Sequence, residues 1–166
     1  MSVPLASFLT VWSILALNIL SPGPNVLNTI ATAMGSGRAV GMASSVAVGF
    51  GSALWCLGMS LGMAALFAVM PVAQSALTFM AAGLLVYFAV RYLRAAFIVE
   101  EREAQLRARG GETAGAAFLR SFSIVASNPK ALTTWLAILG IFPVAAAGAA
   151  DIALLTLGAF AISVAI

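Results

Sequence analysis

The chain has 166 residues, of which 63% are apolar and 8% charged, and its net charge is +3. Globular domains run near 25% charged, so a soluble globular fold is excluded, and no polar block is long enough to fold as a second domain. One cysteine, Cys56, and the absence of histidine remove intramolecular disulfides, thiol-pair redox chemistry and the commonest transition-metal ligand. The basic residues are too few for a nucleic-acid surface, and most sit in or beside one short loop, where they orient the protein in a membrane.

The first apolar segment covers residues 5–33. A bilayer core of roughly 30 Å takes about 20 helical residues, so this segment exceeds one crossing, and it is broken at Ser21-Pro22-Gly23-Pro24-Asn25. No Lys or Arg precedes Arg38. The positive start of a signal peptide is therefore missing, and the segment reads as a retained span. A short loop with Gly35, Gly37 and Arg38 follows. Residues 39–90 contain no charge, enough for two crossings, at 41–69 and 72–97, turning at Met70-Pro71. The second span carries Ser45-x-x-x-Gly49 and Gly58-x-x-x-Gly62, small-residue patterns that let helices approach closely, within the chain or in a dimer.

Residues 99–113 are the only polar stretch, VEEREAQLRARGGET, and predict a short surface helix ended by Gly110-Gly111. A fourth span covers 116–142, is broken at Asn128-Pro129-Lys130 and is closed by Pro143. A fifth covers 149–166. Arg38 follows span 1, and Arg91, Arg94, Arg102, Arg107, Arg109 and Arg120 lie in or beside the loop after span 3. Cytoplasmic loops carry the Lys/Arg excess, so loops 34–40 and 98–115 are expected in the cytoplasm and the N-terminus outside. The expected fold is all-α, a polytopic membrane protein with five transmembrane helices in a single domain, 1–166. Residues 1–97 would form a first three-helix repeat, 98–115 the cytoplasmic loop, and 116–166 an incomplete second repeat, inverted relative to the first, whose sixth helix is missing.

Spans 1 and 4 occupy equivalent places in the two halves, and both are broken at proline. Proline removes a backbone donor and clashes with the preceding turn. The backbone groups so freed are tolerated at membrane depth only where they face protein or a water-filled cavity. Matched breaks of this kind point to a transporter binding site for a small zwitterion. The candidate site residues are Asn18, Pro22, Gly23, Pro24, Asn25, Asn28, Asn128, Pro129 and Lys130. Asn18, Asn25 and Asn28 fall on one helical face; they line a cavity wall or cap the broken helix ends. An intramembrane Lys costs about 2.5–3.5 kcal/mol. Lys130 either faces the cavity, contacting a carboxylate or a coupling-ion site, or snorkels toward the cytoplasmic face. Asp151, the only acidic residue outside the polar stretch, is an interfacial charge or a second ion-coupling group. No Ser/His pair, paired Asp or metal-ligand set is present to support an enzyme, a metal site or a cofactor.

SPGPN at 21–25, the Gly-rich second span, AGLLVYFAVRYLR at 82–94 and SNPKA at 127–131 resemble the LysE/RhtB family of amino-acid exporters, the lysine exporter and homoserine/threonine resistance type. The similarity covers essentially the whole chain. It implies a bacterial inner-membrane protein that exports amino acids, is driven by the proton motive force and works as a homo-oligomer in the lipid bilayer. Pro22, Gly23, Pro24, Asn25, Asn128, Pro129 and Lys130 match the family's motif positions. Family members resemble six-span chains of two related halves, whereas this sequence stops at its fifth span. The alternative expectation is therefore a truncated, non-transporting membrane subunit or assembly partner.

Overall fold

The computed structural model describes residues 2–21, 23–70, 72–96 and 110–166. Among them are seven α-helices, one short 3-10 turn and no strand. In chain order these are α1 (Leu5–Leu20), α2 (Pro24–Ser36), α3 (Arg38–Val69), α4 (Val72–Ala96), α5 (Ala114–Ala126), α6 (Pro129–Ile141), the turn Val144–Ala146 and α7 (Ala149–Ala165). The surface helix expected within 99–113 falls largely outside the described residues, as do Pro22 and Pro71.

Local chemistry accounts for the boundaries. Pro24 and Pro129 each take the first position of a helix, where the missing N–H has no intrahelical partner to lose. Asn128 precedes Pro129, and its Oδ1 accepts from the Lys130 amide at 2.9 Å. Thr113 caps α5 in the same way, accepting from the Ala116 amide at 3.3 Å. Gly37 links α2 directly to α3 with φ 88°, a conformation that costs a glycine little.

By length and composition α3, with 32 residues, can cross a membrane alone. The pairs α1–α2 and α5–α6, each bent by 58°, pass the same test if each pair is one span, which gives up to three candidate spans among the described residues. Long apolar side chains such as Leu54, Leu61, Phe79, Val86 and Leu93 are exposed on α3 and α4, a surface that water disfavours and a bilayer accepts.

Helix α3 is the central element. It packs on α5 and α7, with α2 and α6 beside it, while α4 lies mainly on α6 and α1 lies on α7. Helices α3 and α7 run antiparallel: the Ser45 hydroxyl donates to the Val164 carbonyl at 2.9 Å, and Thr156 donates to the Cys56 sulfur at 3.6 Å. A Cβ at Gly49 would come within 2.6 Å of Val164, whereas one at Gly58 or Gly62 would have nothing within 4 Å among the described residues. Of the two small-residue patterns, the first is used inside the chain and the second faces open space.

The two ends of this bundle differ. Toward Asp151, the core is apolar: Phe8, Val11 and Leu15 of α1, Met63 and Phe67 of α3, Trp135, Ile138 and Leu139 of α6, and Leu155 of α7. Phe8 and Phe142 meet edge to face at 5.3 Å. Toward Arg38, the interior is a network of hydroxyl, amide and guanidinium groups. The two helix breaks lie between these layers.

Candidate functional site

A cavity of about 70 Å³ opens where the two breaks meet. The first break supplies Asn18, Ser21, Gly23, Pro24 and Asn25, and the second supplies Asn128, Lys130, Thr134 and Trp135. Val48 and Ser52 of α3, Val125 of α5 and Ser163 of α7 complete the wall. A buried water needs roughly 10–15 Å³ by this kind of measure, so the space takes several waters or the polar end of a small solute.

Lys130 joins the two breaks. It starts at the second position of α6 and reaches across to the end of α1, where its ammonium donates to the Asn18 and Ser21 carbonyls, each at 3.4 Å. The last turn of a helix leaves carbonyls without intrahelical partners and carries the negative end of the dipole, so a cation is favoured there. Gly23 makes this approach possible. Its backbone is extended (φ −123°, ψ −179°), which any residue adopts, but a Cβ would stand 3.1 Å from the Lys130 Nζ. Close packing, not backbone freedom, calls for glycine here. Gly23 also leaves the first turn of α2 with no side-chain cap, so amides at a positive dipole end lie beside the ammonium.

Among the described residues, three oxygens of the wall are buried without a hydrogen-bond partner: Asn25 Oδ1, Thr134 Oγ1 and Ser163 Oγ. An unsatisfied buried polar group costs about 1–3 kcal/mol. Orphans gathered around one cavity mark a place where a bound group would be welcome. A cation, a helix start with no side-chain cap and acceptor oxygens thus surround one space where the two pairs of helices meet.

Residues 16–166 match the model of the family described as LysE type translocator. The chain belongs to the LysE type translocator family. No curated protein and no solved structure gives a match. Membership makes this a membrane-embedded exporter of amino acids or similar small solutes, of a class that consists of transporters and not enzymes.

The other residues singled out in the sequence fall as follows. Asn18, Gly23, Pro24, Asn25, Asn128 and Lys130 line the cavity. Pro22 lies outside the described residues, as does the side chain of Pro129. Asn28 is not in the wall. It is buried one turn further along α2, where its amide donates to Ser121 at 2.9 Å and to Ser44 at 3.5 Å, and its carbonyl accepts from Arg120. Asp151 sits in the first turn of α7, where its Oδ2 accepts from the Ser2 hydroxyl at 2.5 Å and from the Ser2 and Gly148 amides, both at 3.1 Å. The helical rise alone puts Leu5 roughly 20 Å from Asn18, so Asp151 stands at the far end of α1 from Lys130.

An Asp151→Asn protein is expected to keep efflux within about twofold. It should melt earlier, because the bonds from the Ser2 hydroxyl and the Ser2 and Gly148 amides weaken when their acceptor loses its charge. Parallel efflux and thermal unfolding measurements check this, and collapse of efflux with unchanged melting would make Asp151 an ion-coupling group.

Sequence reasoning did not single out Ser52, Thr134 and Ser163 in the wall, nor the network of Arg120, Ser44 and Ser121. The last is only visible as a pattern once α2, α3 and α5 are packed.

Proposed function

We propose that this chain is a five-span amino-acid exporter of the inner membrane, with loops 34–40 and 98–115 in the cytoplasm and the N-terminus outside. The substrate binds at mid-membrane, between the broken helices α1–α2 and α5–α6, and transport is driven by the proton motive force. The observation that carries this reading is the Lys130 ammonium, anchored on one broken helix and seated in the break of the other, in a cavity walled by both.

The chemistry fits a zwitterion. The carboxylate of the substrate lies against the Lys130 ammonium and the open amides of the α2 first turn. A helix N-terminus suits an anion, and discontinuous helices present such ends at membrane depth. The substrate ammonium meets the acceptors that lack partners, Asn25 Oδ1 and the Thr134 and Ser163 hydroxyls. The apolar neighbours Leu15, Ile19 and Trp135 leave room for a side chain without selecting a polar one.

The test is counterflow into proteoliposomes holding the purified chain, using labelled amino acids with and without competitors. Free amino acids are expected to compete, and their carboxamides, which lack the anion, are expected not to. Equal competition by both would refute the carboxylate site. Gly23→Val is a companion variant. Its side chain displaces the Lys130 ammonium without straining an extended backbone, so transport is expected to fall at least fivefold with little change in thermal stability.

A further inference from the structure

One helical turn from the cavity, toward the Arg38 end, three helices each place polar side chains at the same level. On α3 Ser44 follows Val48 and Ser52; on α5 Ser121 follows Val125; on α2 Asn28, Thr29 and Thr32 follow Asn25. These residues bond to one another across the helices. Ser44 and Ser121 hydroxyls lie 2.7 Å apart, Thr29 and Ser44 hydroxyls 2.9 Å, and Asn28 Nδ2 donates to Ser121 at 2.9 Å. Thr32, Ser44 and Ser121 are fully buried. Arg120 is the one long side chain of the layer. From α5 it donates to Asn28 Oδ1 and, at 2.9 Å, to Thr32 Oγ1, both on α2. It also pairs through two nitrogens with Glu112, at 2.9 and 2.5 Å. The Glu112 amide in turn donates to the Ser36 hydroxyl at 3.1 Å, so the chain ahead of α5 is tied to the end of α2.

We infer that this layer is the gate between the cavity and the Arg38 end, with Arg120 as its latch. This rests on the cavity being the transport site. The composition of the layer is the physical argument. Replacing a buried polar cluster by packed apolar groups is often neutral or stabilising, so permanence alone does not call for these residues. Opening an apolar plug to water costs about 25 cal/mol per Å². A hydrogen bond contributes only about 0.5–1.5 kcal/mol net, because water replaces the partner that is lost. A layer of hydroxyls around one guanidinium therefore closes firmly and opens cheaply. The opposite side of the cavity, packed with Phe8, Leu15, Trp135 and Ile138, lacks that property. The gate faces the side from which an exporter loads.

The test needs no substrate. Ser52 lines the cavity and is replaced by cysteine; the native Cys56 on the same helix is fully buried and reports any general loosening. A membrane-impermeant maleimide is added on the side that bears Arg38 and Glu112, to Ser52→Cys alone and combined with Arg120→Ala or with the gentler Thr32→Val. Opening the latch is expected to speed labelling at position 52 at least tenfold with Arg120→Ala, and measurably with Thr32→Val, while Cys56 stays unlabelled. An unchanged rate at position 52, or Cys56 reacting in step with it, overturns the gate. Labelling proceeds whether or not any amino acid is exported, so failure of the transport reading would show in counterflow and not here.

Discussion

Replacing Lys130 with alanine is expected to reduce efflux of a preloaded labelled amino acid at least tenfold in cells where the protein still inserts. The ammonium has two tasks at one point. It closes the end of α1 through the Asn18 and Ser21 carbonyls, and it presents positive charge to the cavity. Hydrogen bonds to charged groups contribute about 1.5–3 kcal/mol, and about 1.4 kcal/mol is a factor of ten in binding, so the loss should fall between roughly tenfold and a hundredfold. Lys130→Arg keeps the charge but replaces a compact ammonium with a planar fork. Gly23 leaves only 3.1 Å between Nζ and the place of a Cβ, so the larger head is expected to restore part of the rate and not all of it. Efflux within twofold of the parent for Lys130→Ala would mean that the side chain only closes the helix end.

The helix starts at Pro24 and Pro129 were legible in the sequence because proline acts locally. Pro24 and Pro129 start helices wherever tertiary structure puts them, and Asn128 caps by a contact two residues away. The same logic puts Lys130 in the first turn of a helix. It did not reveal where the ammonium goes, since the Asn18 and Ser21 carbonyls are more than a hundred positions away in the chain. Asn28 shows the limit more sharply. Spacing puts it on a face with Asn25, but one turn of helix moves it from the cavity to the layer below. Its partners Ser44, Ser121 and Arg120 come from two other helices. Isolated serines in apolar spans carry no local signal, and Arg120 reads from sequence only as one more charge near a loop. Asp151 reads from sequence as an interfacial charge or an ion-coupling group, and its contact with Ser2, 149 positions away, has no local signal.

Glycines make the same point with a larger expected effect. Gly140→Leu and Gly62→Leu are identical changes within apolar helices, and sequence alone does not separate them. At Gly140 a Cβ would stand 2.5 Å from the Ala81 Cβ and 3.0 Å from the Leu77 carbonyl oxygen. The oxygen is backbone and cannot rotate away. The Gly140 carbonyl also accepts from the Thr78 hydroxyl at 2.9 Å, so both contacts tie α6 to α4. Helix α4 rests mainly on α6, and pushing the two apart removes most of what holds it. Overpacking costs about 1–3 kcal/mol for added methylenes and occasionally more; with a backbone clash and a lost hydrogen bond, about 3 kcal/mol or more is expected. At Gly62 a Cβ has nothing within 4 Å among the described residues, so a leucine there starts into open space and adds apolar surface of the kind α3 already exposes. Unfolding of the purified protein in detergent should show a large loss of stability for Gly140→Leu and almost none for Gly62→Leu. Equal losses would mean that the open face of α3 is covered in the intact protein. In that case the Gly58-x-x-x-Gly62 pattern would be packing against a second chain, as the Ser45-x-x-x-Gly49 pattern packs against α7.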